Sequence, residues 1–282
     1  MRRGNKRVSR LTAVLAMAVG LLTPMAANMA GAAAGTPAVV PQLAPVRLLV
    51  PRSVHPPTAD RDGQPVGVAR EAARRAARIA RWTNLLVPVP GTLPAYARPS
   101  ADSRRVGVVP AGSKYYGIAT VAWVEERSAD GRWGRVELPY RWPRVEGWIR
   151  IARLPTRTTR FRVVVDLSRH LVIVTKLGRV VFRAPAATGS PSSPTPVGEY
   201  FVTDRVPFSV GGALGSFAFG ISGIQPRLPA GWTGGNQLAI HGTNQPWSIG
   251  QSVSAGCVRV SESTLARLQP LLVYGTPVVI HA

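Results

Sequence analysis

Residues 236–260 read NQLAIHGTNQPWSIGQSVSAGCVRV and hold the only cysteine of the 282-residue chain, together with a histidine placed to activate it. A thiol attacks as thiolate, so it needs an imidazole or a positive field nearby, and the imidazole needs an acceptor that fixes its tautomer. Leu238, Ala239 and Ile240 read as the end of a buried strand that delivers His241 and Gly242 to the strand's exit. A loop rich in Gly, Pro, Asn and Ser follows, and it returns at Ser254, Ala255, Gly256 and Cys257 before alternation resumes at Val258, Arg259 and Val260. No Asp or Glu lies within 236–260, so the expected acceptor for the imidazole is the backbone carbonyl of Gly242. Gly256 has no side chain in the way, which lets the N–H groups of Gly256 and Cys257 approach a developing oxyanion. The chemistry so specified is acyl transfer through a cysteine. A lone cysteine is more often an inert filler, and it is the ordered pattern around it that favours chemistry.

A frame must hold these residues, and the last third of the chain reads as mostly β. Residues 162–167 and 170–174 form two apolar runs joined by a short polar turn, a hairpin, and 178–182 continues it. His170 at a strand start reads as structural. Residues 206–232 are glycine-rich with Phe208, Phe217, Phe219 and Trp232, long enough to suggest a lid over the site. Ser261 is placed to cap a short helix with Glu262 in its first turn and Leu265 and Leu268 facing inward, and residues 277–280 form a last strand.

The run from strand through His-Gly-Thr and a loop to Ser-x-Gly-Cys-Val-Arg resembles the active-site signature of the L,D-transpeptidases with a YkuD-type catalytic domain. Pro194-Thr195-Pro196-Val197-Gly198 is similar to the same family, in the expected order. The resemblance implies a YkuD-type β-sandwich with a short helix over 160–282, acting as a peptidoglycan L,D-transpeptidase on tetrapeptide stems. It implies Cys257 as the nucleophile that forms a thioester, His241 as base, the Gly242 carbonyl as its orienter, and Gly256 and Cys257 as the oxyanion hole. Arg259, Ser254 and Thr243 fall on the substrate side, and Ala255 stands where the family usually carries a second histidine. No metal or other cofactor is implied, since the four histidines and one cysteine show no ligand spacing. An L,D-carboxypeptidase with the same site, or a non-catalytic wall-binding protein, are the alternatives.

The rest of the chain bears on compartment. Five basic residues in the first ten, followed by the uncharged residues 11–35 with their most apolar part at 11–22, make residues 1–34 a secretory signal pattern, and left uncleaved the same stretch would serve as a membrane anchor. The protein is therefore expected in the cell envelope or outside the cell. The formal charge is +22, and the excess sits mostly before residue 161. Such a chain suits anionic envelope polymers; export argues against a nucleic-acid partner. Residues 35–91 read as a Pro/Ala/Arg-rich linker with a basic helix at 68–82. Residues 92–155 carry short alternating runs at 106–109, 115–123, 133–138 and 147–151, with Ala129-Asp130-Gly131 as a hairpin turn. Tyr96-Ala97-Arg98-Pro99, Trp133-Gly134-Arg135 and Gly147-Trp148-Ile149 resemble the bacterial Src-homology-3-like domain, which implies a small barrel ahead of the catalytic one.

Overall fold

In the computed structural model, the alanine and arginine stretch forms α1 (Val66–Trp82), one turn-half longer at its start than expected from sequence. The structure describes residues 66–282; the signal pattern and the Pro-rich spacer lie outside the described residues. The α1 arginines Arg70, Arg74 and Arg81 are exposed, and the helix ends where the Arg162 guanidinium lies 5.8 Å from the Trp82 ring. Among the described residues no helix is long and apolar enough to cross a membrane.

Eight short strands follow: β1 (Asn84–Pro88), β2 (Leu93–Tyr96), β3 (Arg105–Val109), β4 (Val121–Val124), β5 (Glu126–Arg127), β6 (Trp133–Glu137), β7 (Glu146–Arg150) and β8 (Arg157–Thr159). They make a five-stranded sheet, β3-β2-β7-β6-β5, and a three-stranded sheet, β4-β1-β8. β1 falls inside the stretch read as linker. Its Leu86 and Val87 are fully buried and pair with β4, so packing captures a segment whose flanking prolines suggest a spacer. The Ser128 hydroxyl accepts from the Trp133 N–H at 3.0 Å and Gly131 takes a positive φ of 68°, which closes the expected turn between β5 and β6. Residues 115–119 are not strand. They belong to an exposed loop, in which the Tyr115 hydroxyl accepts from the Asn236 N–H far along the chain.

The second half contains β9 (Phe161–Asp166), β10 (Leu171–Lys176), β11 (Arg179–Pro185), β12 (Thr188–Gly189), β13 (Gly198–Pro207), β14 (Phe217–Ile224), β15 (Gln237–His241), β16 (Ser252–Ser254), β17 (Val258–Arg259), α2 (Glu262–Leu268) and β18 (Pro277–His281). One eight-stranded sheet runs β11-β10-β9-β18-β13-β14-β15-β17, with β12 and β16 as a separate parallel pair. The sheet is continuous through β13 and curls, so that residues of β9 and β10 share one core with residues of β14 and β15. Val163, Val165, Val172, Val174, Phe219 and Ile240 fill its core, and α2 adds Leu265 and Leu268, each worth about 1.5–3 kcal/mol when fully buried. Ser261 caps α2 by accepting from the Thr264 N–H at 3.2 Å.

Strand β13 joins the two halves. Tyr200 and Val202 face the second core, whereas Phe201 between them is fully buried in the core of the first eight strands. Beside it the Ser222 hydroxyl donates to Glu137, whose carboxyl burial pushes up to about 8, and the Tyr140 N–H donates to the Ser222 carbonyl at 2.6 Å.

Candidate active site

The register of four adjacent strands builds the site. Val206 on β13 pairs with Ala218 on β14, Ala218 with His241 on β15, and His241 with Arg259 on β17. Two residues along, Asp204 pairs with Gly220 and Gly220 with Ala239, and Cys257 comes two positions before Arg259. Side chains alternate across a strand, so these eight residues stand on one face, and all eight line one pocket of about 440 Å³. Phe219, Ile240 and Val258 take the other face and are buried in the core. The middle of the pocket floor is therefore Ala218, Gly220 and Ala239, with functional side chains at both ends.

His241 is 4% exposed, and its Nδ1 lies 2.5 Å from the Gly242 carbonyl. A carbonyl oxygen only accepts, so Nδ1 carries the proton and Nε2 keeps the lone pair. Burial holds the imidazole down to about 4, against the opposing Gly242 contact, and the Arg259 charge lowers it further. The ring is neutral at ordinary pH. Cys257 is half-buried, with Sγ 3.9 Å from the Gln237 carbonyl. Burial pushes its thiol up, offset in part by a hydrogen bond from Ala239 and by Arg259. Both shifts favour a resting pair of neutral thiol and neutral imidazole. The two residues are diagonal neighbours on adjacent strands.

Gly242 is required at the strand exit. A Cβ there would lie 2.8 Å from the Gly215 Cα and from Leu265 Cδ1, and Glu262 closes the same corner by accepting from the Ser216 N–H at 3.1 Å. Glu262 thus pins the approach to β14 against the end of β15.

Other expected residues are placed differently. The Gly256 N–H donates to the Ser254 hydroxyl at 3.1 Å, so it is not free for an oxyanion, and of the two expected donors the Cys257 N–H is left. Ser254, 2% exposed, lines the pocket, and its hydroxyl donates in turn to the Cys257 carbonyl at 2.6 Å, which shapes the turn. Thr243 lies outside the pocket lining and its hydroxyl accepts from the Gln245 N–H at 3.0 Å, opening the single 3-10 turn Pro246–Ser248. Arg259 does line the pocket, and it donates to Gln245 Oε1 at 2.8 Å. His170 holds the Ser252 hydroxyl at 2.9 Å, a structural contact.

The glycine-rich stretch 206–232 is not one lid. β14 runs through its middle, and Phe219 is core. Small residues at 218 and 220 are what the floor needs, and they erase the apolar alternation that marks a strand. The loops on either side do reach the pocket, through Phe208 and Leu214 before β14 and through Leu228 and Trp232 after it.

Sequence reasoning missed four contributors. Gln225 is 3% exposed, and its amide donates to the Ser193, Pro194 and Ala255 carbonyls, tying the Pro-Thr-Pro segment to the turn before Cys257. Asp204 stands at the far end of the floor. Tyr115 and Tyr116 come from the first eight-stranded half and line the pocket; the Tyr115 hydroxyl accepts from the Asn236 N–H at 3.1 Å, and Lys114 donates to Asn236 Oδ1 at 2.9 Å. Only spatial contact across more than a hundred residues reveals these. Among the described residues no group of three or more His, Cys, Asp or Glu gathers as a metal site would require.

Comparison with known proteins bears on this geometry. The YkuD L,D-transpeptidase catalytic domain matches residues 160–280. The YkuD protein of Bacillus licheniformis is 31% identical over 123 residues, 44% of this chain and 67% of its own, and that of Bacillus subtilis 28% identical over 124 residues, 44% and 68%. An Enterococcus faecium L,D-transpeptidase mutant solved by crystallography is 24% identical, over 43% of this chain and 49% of its own, with a TM-score of 0.34, too slight a likeness to add to the sequence match. With its cysteine, histidine and Pro-Thr-Pro segment all inside the matched residues, and with about two-thirds of the length of the Bacillus proteins covered, the chain belongs to the YkuD L,D-transpeptidase family.

Proposed function

We propose that the chain is an exported peptidoglycan L,D-transpeptidase that cross-links stem peptides through a thioester on Cys257. The observation that carries the reading is a histidine with Nδ1 held on a backbone carbonyl, standing on the same pocket face as the only cysteine.

His241 Nε2 takes the thiol proton as Sγ attacks the carbonyl of the L,D bond after the third stem residue, and the resulting oxyanion accepts from the Cys257 N–H. Collapse breaks the C–N bond. The departing D-alanine amine takes the proton from the imidazolium and leaves a thioester. The amine of a second stem then attacks the thioester, loses its proton to His241, and the thiol is reformed with that proton. Because both groups rest neutral, the proton moves only when a carbonyl is in place, which protects the thiol between turnovers. Ala255, in the position of the family's second histidine, leaves His241 as the single imidazole lining the pocket. The basic start and apolar residues 11–22 support export to the envelope, the positive charge supports retention on anionic polymers, and residues 92–155 fit a Src-homology-3-like wall-targeting unit.

Intact-mass spectrometry of purified protein with a disaccharide-tetrapeptide, and with Cys257→Ala as control, tests the proposal. Cross-linked dimer with loss of alanine, absent in the control, is expected. Tripeptide alone would indicate an L,D-carboxypeptidase. No product and no acyl-enzyme would leave a wall-binding protein.

A further inference from the structure

Helix α1 is a structured element that the rest of the protein leaves uncovered. Residues 67, 68 and 70–77 are exposed, and burial begins only at Arg78 and Ile79. The helix is held at its last residue. The Trp82 ring lies against the β10–β11 turn, where a Cβ on Gly178 would stand 2.5 Å from Trp82 Cε2, and the Arg162 guanidinium covers the ring from 5.8 Å. A helix of 17 residues with this exposure has no core to hold it, so its faces answer to something outside the fold.

The two faces differ. At 3.6 residues per turn Val68, Ala72, Ala76 and Ile79 fall on one side, and with Glu71 and Arg75 at their border they line a shallow surface groove. Val68 is 59% exposed. Arg70, Arg74, Arg78 and Arg81 fall on the other side, at spacings of four, four and three. Like charges at such spacings repel, and the only acid of the helix is Glu71. Among the described residues no α1 arginine forms an ion pair. The positive surface continues past Trp82 through exposed Arg160, Lys176 and Arg179, and residues 157–165 and 171–185 contain no Asp or Glu.

Each candidate occupant makes a different demand. A second copy of the chain would bring arginines against arginines. A soluble acidic polymer would satisfy the arginines and leave Val68 and Ile79 in water. A bilayer with anionic headgroups meets both faces, because the apolar side enters the headgroup boundary while long arginine stems carry their guanidinium groups to the phosphates. We propose that α1 lies in the plane of an anionic membrane surface, with Val68 and Ile79 towards the lipid and the arginines on headgroup phosphates, and so holds the protein there. The apolar side is narrow, so charge supplies most of the attraction, and the contact needs anionic lipid and weakens with salt. This surface lies outside the pocket and does not depend on the transpeptidase reading.

The test reads α1 itself in the full chain, so that insertion of residues 11–22 does not count as binding. Cys257→Ala removes the only native thiol, and Val68→Cys then carries an environment-sensitive fluorophore. A blue shift is expected with vesicles of phosphatidylglycerol and phosphatidylcholine, and none with phosphatidylcholine alone. Arg70→Gln, Arg74→Gln, Arg78→Gln and Arg81→Gln together are expected to raise the half-saturating lipid concentration on the order of a hundredfold or more. Salt at about 1 M, where the Debye length is about 3 Å, is expected to abolish the shift. No shift with the anionic vesicles overturns the proposal, as does an equal shift with phosphatidylcholine alone or an unchanged response in the glutamine variant. An equal shift with soluble polyphosphate at the same phosphate concentration would make this a polymer site and overturns it too. If the glutamine variant fails to fold, the two vesicle compositions and the salt dependence decide on the helix with its arginines intact.

Discussion

The Thr195 hydroxyl donates to the Gly256 carbonyl at 2.9 Å while accepting from the Gly189 N–H at 2.8 Å, so one buried side chain ties the Pro-Thr-Pro segment to the turn that presents Cys257. Thr195→Val keeps the shape and removes both bonds. It is expected to cost about 1–3 kcal/mol of stability, because it strands a buried carbonyl and a buried N–H. Acylation of Cys257 should slow more than this loss of folded protein explains. Thermal unfolding and single-turnover acylation, measured on the same preparation, check it.

Gly256 has a φ of 114°, in a region that side chains rarely adopt, and a Cβ there would run into the Gln225 amide. Gly256→Ala is expected to abolish acylation. Adding Gln225→Ala removes the collision but not the backbone strain, so the double variant should recover stability only in part, as a denaturant titration would register.

The His241 imidazole is held down to about 4 from an ordinary 6.5. The unfolded chain therefore binds a proton between pH 6.5 and 4 that the folded chain refuses. The stability this represents is fully present above pH 6.5 and lost as pH falls through that window, on the order of 3 kcal/mol. His241→Asn is expected to lose activity and, relative to wild type, to unfold less steeply with acid between those values. Urea titrations at several pH values measure the difference.

Burial pushes the Cys257 thiol up. Iodoacetamide alkylation is therefore expected to be slow at neutral pH and to climb beyond the usual thiol range, while acylation by donor proceeds at neutral pH because the base acts only during attack. A thiol that alkylates at neutral pH as fast as a free cysteine would contradict the resting neutral pair.

Tyr115 and Lys114 fasten the first half of the molecule to Asn236 at the start of β15. Tyr115→Ala removes an aromatic wall of the pocket and this link. A severalfold rise in donor KM with little change in melting temperature is expected, since Tyr115 is about half exposed. Steady-state kinetics beside calorimetry would settle it.

How much of this was legible in the residues follows from the range of the interactions. The His241 to Gly242 contact was, because a strand exit without any nearby carboxylate leaves a carbonyl as the acceptor. The α2 cap at Ser261 was, because its partner is three residues away. The Gly256 N–H to Ser254 contact was not legible, because Ser254 reads equally well as a substrate contact. β14 was hidden because FAFGISGI spends its alternate positions on small residues for the floor. Asp204, Gln225 and Tyr115 carry no local pattern at all; each acquires its place from pairing or contact with residues on other elements.

Phe201 sits in the core of the first eight strands although it lies some forty residues beyond the last of them. A chain emerging from its N-terminus, at a ribosome or across a membrane, presents all eight of those strands before the side chain that plugs their core. The leading half therefore completes its packing only once β13 has followed it, so maturation of the two halves is joined in time, and a cut between them at residue 160 would leave a hole in one fragment and an exposed phenylalanine on the other.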